Sequence, residues 1–175
     1  MNRAHLAKLS LSAVALTTLL APSHALATTA IDAFDVPGTA CQPSTPADAN
    51  CVEYTQYGVH NTCATAITVE CPIQRVRINT KTSRIYSAYV YAYDRSTAAD
   101  VSCSLEQTDR YGNVTYQSTR NTSGNSVDEQ LLFYAPSTST YDLWWRFRCS
   151  VPGVETPGWF SHLTNISVLS VTIIS

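Results

Sequence analysis

The stretch Tyr141-Asp142-Leu143-Trp144-Trp145-Arg146-Phe147-Arg148-Cys149 changes character at every residue. Leu143, Trp145, Phe147 and Cys149 fall on one side of an extended chain, and Asp142, Trp144, Arg146 and Arg148 on the other. A period of two is the mark of a strand with one buried face. Val101-Ser102-Cys103-Ser104-Leu105 repeats the pattern, with Cys103 in phase with Val101 and Leu105. Both cysteines therefore point into a core, and a Cys103–Cys149 bridge between strands is expected. In chain-entropy terms such a bridge stabilises by roughly 4 kcal/mol.

Similar signals extend in both directions from this pair. Candidate strands are Cys51–Val59, Ala66–Cys71, Gln74–Asn79, Arg84–Tyr93, Asp100–Thr108, Val114–Thr119, Val127–Tyr134, Tyr141–Ser150 and Thr164–Ile174. β-Branched and aromatic residues dominate them. Turn chemistry separates them, at Asp109-Arg110-Tyr111-Gly112-Asn113, Ser123-Gly124-Asn125, Ala135-Pro136-Ser137 and Val151-Pro152-Gly153. No later stretch carries a helical period of 3.6 residues. About nine short strands at this spacing imply an all-β fold, an antiparallel, jelly-roll-like β-sandwich with three disulfides. Residues 51–175 form this domain, and residues 28–50, with Pro37, Gly38, Pro43 and Pro46, read as an extended N-terminal arm.

Residues 1–27 have the layout of a signal peptide: basic Arg3 and Lys8, an apolar run over Leu9–Leu20, then Pro22 and small residues. Cleavage is expected after Ala25 or Ala27, with Ala27 preferred because Ala25 and Ala27 both satisfy the small-x-small rule. The run is shorter than the roughly 20 residues a membrane span requires. The expected destination is extracellular or periplasmic, with no span in the mature chain.

After residue 27 the chain keeps nine basic residues against thirteen acidic ones, a net charge of −4, with Lys81 the single lysine. No basic run tracks a phosphate backbone, so nucleic acid is not an expected partner. All six cysteines lie in this part, which reads as a disulfide framework in an oxidising compartment. Besides Cys103–Cys149, Cys41–Cys71 with Cys51–Cys63 is preferred, and Cys41–Cys51 with Cys63–Cys71 stays open. The absence of any C-x-x-C pair, with only His60 and His162 after the signal, argues against a zinc site. No cofactor is expected.

Function has fainter signals. Tyr89, Tyr91 and Tyr93 share one face of their strand, while Tyr86, Ala88, Val90 and Ala92 share the other. The small apolar face belongs inside, leaving the three tyrosines outside. With the outward Trp144, Arg146 and Arg148 they suggest a flat platform, in which rings stack on sugar faces and arginines bond hydroxyls. Asp94, Asp100, Asp109 and Asn113 lack calcium-loop spacing and read as turn formers. Catalytic motifs are missing: there is no G-x-S-x-G elbow, no paired carboxylates, and Ser161-His162 are neighbours that a strand turns to opposite faces. His60 and His162 can meet in space. The triplets at Asn113, Asn121 and Asn165 fit glycosylation sequons.

An ordered series of short signatures adds a resemblance. It runs Tyr57-Gly58-Val59-His60-Asn61-Thr62, Cys71-Pro72, Tyr93-Asp94-Arg95-Ser96, Val101-Ser102-Cys103-Ser104-Leu105, Gly112-Asn113, Cys149-Ser150-Val151-Pro152 and Ser161-His162-Leu163. From about Cys41 onward the chain resembles small secreted bacterial proteins of unknown function, of the type common in myxobacterial secretomes. The resemblance implies a disulfide-containing β-sandwich. It also implies four recurring cysteines, corresponding to Cys41, Cys71, Cys103 and Cys149, with Cys51 and Cys63 as an added pair. It brings no activity or site residues. The expectation is a secreted, non-enzymatic protein that binds carbohydrate or another extracellular protein. The alternatives are a secreted hydrolase or hydrolase inhibitor, and an assembling surface subunit that uses the apolar strand Thr164–Ile174 as an edge.

Overall fold

The computed structural model describes residues 28–73, 83–136 and 144–174. The signal segment, the candidate strand Gln74–Asn79 and the Tyr141–Leu143 part of the opening stretch lie outside the described residues.

Eleven strands are present among them: β1 (Thr28–Pro37), β2 (Gln42–Pro43), β3 (Val52–Thr55), β4 (Gly58–Asn61), β5 (Ile67–Ile73), β6 (Ser83–Tyr93), β7 (Ser102–Thr108), β8 (Val114–Asn121), β9 (Glu129–Tyr134), β10 (Trp144–Val151) and β11 (His162–Ile174). They form two antiparallel sheets. The first runs β3-β4-β11-β6-β9, with β1 also paired to β11; the second runs β2-β5-β10-β7-β8. From β4 onward the chain passes repeatedly between sheets, so most of the pairing joins residues distant in sequence.

The core lies between the sheets. Ala88, Val90 and Ala92 of β6 face Trp145, Phe147 and Cys149 of β10, all buried. Phe133 and Phe147 meet edge to face across the layers with centroids 5.0 Å apart, a favoured aromatic geometry. Val101, Cys103 and Leu105 are buried as their phase requires.

All three disulfides form, and no described cysteine is free: Cys41–Cys71, Cys51–Cys63 and Cys103–Cys149. The last joins directly opposed residues of β7 and β10, with Cα atoms 4.0 Å apart. Cys41 is placed opposite Cys71 by the adjacent pairing of Gln42 with Glu70.

Five expectations change in detail. Residues 28–50 are extended at first, but Thr28–Pro37 pairs along its whole length with β11 rather than standing off as an arm. Cys51–Val59 is not one strand: the chain reverses at Gln56-Tyr57, and β3 and β4 form a hairpin with Glu53 opposite His60. With β1 and β2 added, Cys51–Val59 divided into β3 and β4, and Gln74–Asn79 outside the described residues, nine strands become eleven. Tyr86 is exposed instead of lying with Ala88, because the pairing of β6 with β11 slips there: Ser87 opposes Leu169, but Ile85 opposes Ser170. This bulge makes Ile85 continue the buried face. Finally, β11 is no open edge, since β1 or β4 pairs on one side and β6 on the other.

Candidate functional site

The six residues expected to form one platform are divided between the sheets. Tyr89, Tyr91 and Tyr93 lie half-buried on the outer face of the first sheet; Trp144, Arg146 and Arg148 lie on the outer face of the second. A core separates these faces, so the platform does not form. Phase gave the correct outward direction for each strand, but direction alone does not say which sheet a strand joins. Arg146 is occupied locally, with Nε donating to Glu106 at 2.8 Å and Nη1 to Glu70 at 3.0 Å. Tyr91 accepts a bond from Gln130 at 3.0 Å.

Of the six, Tyr93 lines a cleft at one end of the first sheet. Register builds its floor, because His162 of β11 stands directly opposite His60 of β4 on one side and Tyr93 of β6 on the other. Cross-strand neighbours on one face are within side-chain contact. The rings accordingly form a continuous stack: His60 to His162 at 4.4 Å and His162 to Tyr93 at 4.6 Å between centroids, with planes 23° and 20° apart. Tyr57, from the β3–β4 turn, and Trp159 stand at the rim of a cleft of about 560 Å³ that Arg95 and Asp128 also line. Tyr57 is 62% and Trp159 52% exposed. Asp128 has φ 59°, a left-handed conformation uncommon for any residue but glycine.

The loops that carry the rim are fixed from beneath. Ser161, turned inward as its neighbour His162 turns outward, donates to buried Asp94 at 3.0 Å and accepts from the Arg95 N–H at 3.0 Å. Asp94 also accepts from the N–H groups of Ser96 and Val101, each at 3.0 Å, and from the Thr122 hydroxyl. Asp94 is thus a loop organiser, and Asp109, which accepts from Tyr111 and Asn113, is a turn former. Asp100 accepts from Gly124 at 3.0 Å. Among the described residues, no group of three or more His, Cys, Asp or Glu side chains could hold a metal ion.

Glu155 ties the Trp159 loop to the turn after Arg95, accepting from the Ser96 hydroxyl, the Ala98 and Thr97 N–H groups and the Thr97 hydroxyl. These bonds, Ser96 first, hold its carboxyl down at about 2. Buried Asn61 completes the support. Its amide donates to the carbonyls of Thr65, Val151 and Pro152 at 2.8, 3.1 and 2.9 Å, joining the β4 end to the end of β10.

Both imidazoles are biased towards neutrality. Burial lowers His60, against an opposing pull from Glu53. Burial, and then the neighbouring His60 and Arg95 charges, bring His162 down to about 4, although the Phe160 carbonyl works the other way. His162 Nδ1 donates to that carbonyl at 3.3 Å, which leaves Nε2 as an acceptor, and His60 Nε2 shares a 3.1 Å hydrogen bond with the Thr55 hydroxyl. The hydrogen bonds of the histidine pair go to a hydroxyl and a carbonyl, and the stacked rings form a rigid base beneath the exposed Tyr57 and Trp159 rings.

The sequence pattern singles out Tyr93 and allows His60 and His162 to meet; Tyr57 and Arg95 fall inside signature segments without an assigned role, and nothing local marks Asp128 or Trp159. The available signal was the clustering of three signatures, around His60, Arg95 and His162, at one end of the first sheet.

No family model matches the chain, and no curated protein matches it. Among solved structures it is similar to the xylan-binding module CBM15, at 9% identity and a TM-score of 0.44, over 82% of this chain and 97% of that one. It is also similar to the low-affinity xylan-binding module CBM86 of Roseburia intestinalis, at 11% identity and 0.40, over 81% and 94%. A third likeness is to the enzymatically active domain of tailspike protein 4 of bacteriophage CBA120, at 12% identity and 0.38; it covers 84% of this chain but only 19% of that one. At these TM-scores the likenesses carry no functional argument.

Proposed function

We propose that the chain is an exported, non-enzymatic carbohydrate-binding domain whose ligand occupies the cleft between Tyr57 and Trp159. The observation that carries this reading is the pair of exposed aromatic rings, Tyr57 and Trp159, at the rim of a cleft whose base is the rigid Tyr93–His162–His60 stack. Large aromatic side chains left bare in a concave site favour a ligand with flat apolar faces, and polar groups at the margin then fix its orientation. A pyranose has such faces, rimmed by hydroxyls that Asp128 and His162 Nε2 can bond. A cleft of about 560 Å³ suits a few sugar units better than a protein partner, which typically needs about 800 Å² of its own surface.

Export is supported by the three disulfides and by the N-terminal signal pattern. Binding is favoured over hydrolysis by the hydrogen bonds of the imidazoles, which go to Thr55 and the Phe160 carbonyl rather than to a carboxylate. The test is a glycan array followed by titration calorimetry. Trp159→Ala should weaken binding of the best array ligand by about tenfold or more. Trp144→Ala, on the opposite sheet, should leave it unchanged. A wild-type protein that binds no glycan would sink the proposal, as would a loss caused by Trp144→Ala alone.

A further inference from the structure

Resting on the reading of this cleft as a carbohydrate site, we propose that its ligand is an acidic glycan, with Arg95 taking the carboxylate of a uronic acid unit. The Arg95 guanidinium lies 4.6 Å from the Tyr93 ring centre and 5.3 Å from that of Trp159, so aromatic walls flank it on two sides. One nitrogen, Nη2, donates to the Tyr93 hydroxyl. A guanidinium has five N–H donors, which leaves most of the fork unassigned. Among the described residues, the ion pairs are those of Arg146 with Glu70 and Glu106; Arg95 has no carboxylate within 4.0 Å. Asp128 lines the same cleft without pairing to it.

This arginine is also held in place. Its N–H is fixed by Ser161 and, through Ser161, by Asp94, while the next three residues are clamped by Glu155. The carboxylates of Asp94 and Glu155 are thereby committed to other donors. A preorganised planar fork between rings matches a carboxylate in two parallel bonds, and the apolar flanks strengthen the attraction by excluding water. A uronic acid unit offers both features the cleft can use, a ring face for Trp159 and a coplanar charged group at the ring edge. Burial lowers both His60 and His162 below the ordinary imidazole value, so attraction of a negative charge falls on Arg95, with Asp128 opposing it from the same lining.

The experiment is calorimetry at pH 7 with oligomers of galacturonate, glucuronate and mannuronate, each beside its carboxyl-reduced neutral counterpart and a sulfated version of that counterpart. The expected result is at least one acid oligomer bound about tenfold or more tightly than its reduced form. In Arg95→Gln that preference should fall close to unity while the reduced form still binds. Arg95→Lys, which keeps charge but not the fork, should retain part of it. Equal affinity for acid and reduced forms overturns this inference and leaves the carbohydrate reading standing. So does a preference for the sulfated form alone, or an acid preference that survives Arg95→Gln. If none of the saccharides binds, acidic or neutral, the inference and the reading beneath it fall together.

Discussion

His60 and His162 stack ring on ring as directly opposed residues of β4 and β11, their centroids 4.4 Å apart. Two imidazoles this close cannot both carry a proton cheaply, and burial penalises even one. Unfolded, each takes up a proton near 6.5; folded, His162 resists until about pH 4. Between those values the unfolded chain binds more protons, so acid favours unfolding. Stability should be level above about pH 7, fall as the pH drops from 6.5 towards 4, and flatten in this contribution below 4. His162→Phe keeps a flat ring in the stack and removes the titration. Thermal melts from pH 4 to 8 should show its decline in this window at less than about half the wild-type slope. An unchanged slope would place the acid response elsewhere.

The β3–β4 turn depends on one backbone position. Gly58 adopts φ 122°, and a Cβ built there would sit 1.9 Å from the Leu163 carbonyl oxygen of β11. Neither the torsion nor the contact tolerates a side chain. Gly58→Ala should therefore cost about 2 kcal/mol or more in urea denaturation, and it should weaken ligand binding because His60 and Tyr57 flank the same turn. Wild-type stability in this variant would mean that β11 and the hairpin can separate without loss.

This turn also shows where the sequence was legible and where it was not. The alternation around Cys103 and Cys149 depends only on neighbouring residues, so it disclosed both the buried faces and the bridge between them. The same rule correctly separated Ser161 from His162. At Cys51–Val59 the local pattern looked continuous, because the reason for reversing the chain, Leu163 pressed against Gly58, lies a hundred residues away. The cleft is harder still. Tyr57, Arg95, Asp128 and Trp159 come from four separate segments and meet only after the register of β4, β11 and β6 is set. The tyrosine stripe and Trp144 failed as a platform for a related reason: phase is a local property, and sheet membership is not.

Asp94 converts fold stability into site geometry. Its fully buried carboxylate accepts from the N–H groups of Ser96 and Val101 and the hydroxyls of Thr122 and Ser161. Asp94→Ala removes an acceptor shared by four buried donors; the Val101 N–H keeps the Thr122 hydroxyl, but the Ser96 N–H and the Ser161 hydroxyl lose theirs, which should cost about 2 kcal/mol or more. Because Ser161 also positions Arg95, ligand affinity should fall even at temperatures where the variant remains folded. Equilibrium denaturation gives the first quantity and calorimetry well below the melting transition the second. A variant that loses less than about 1 kcal/mol would show that water can replace the carboxylate.

The three disulfides should separate by role. Cys103–Cys149 closes 46 residues inside the core, whereas Cys51–Cys63 closes 12 residues around the β3–β4 hairpin, where both cysteines are only partly buried. Chain entropy alone assigns about 4 kcal/mol to the first and about 3 kcal/mol to the second. Non-reducing peptide mapping should recover both links together with Cys41–Cys71 and no free thiol. Replacing Cys51 and Cys63 by serine should leave a folded domain, because the core layers stay bridged. It should nevertheless weaken ligand binding, since the hairpin that presents Tyr57 and His60 loses the pin joining its two ends. Replacing Cys103 and Cys149 should instead lower the melting temperature further while leaving the affinity of the surviving folded fraction near wild type. Equal effects of the two replacements on affinity would contradict this division, because the cleft would then depend on the core as a whole rather than on the hairpin that forms its rim.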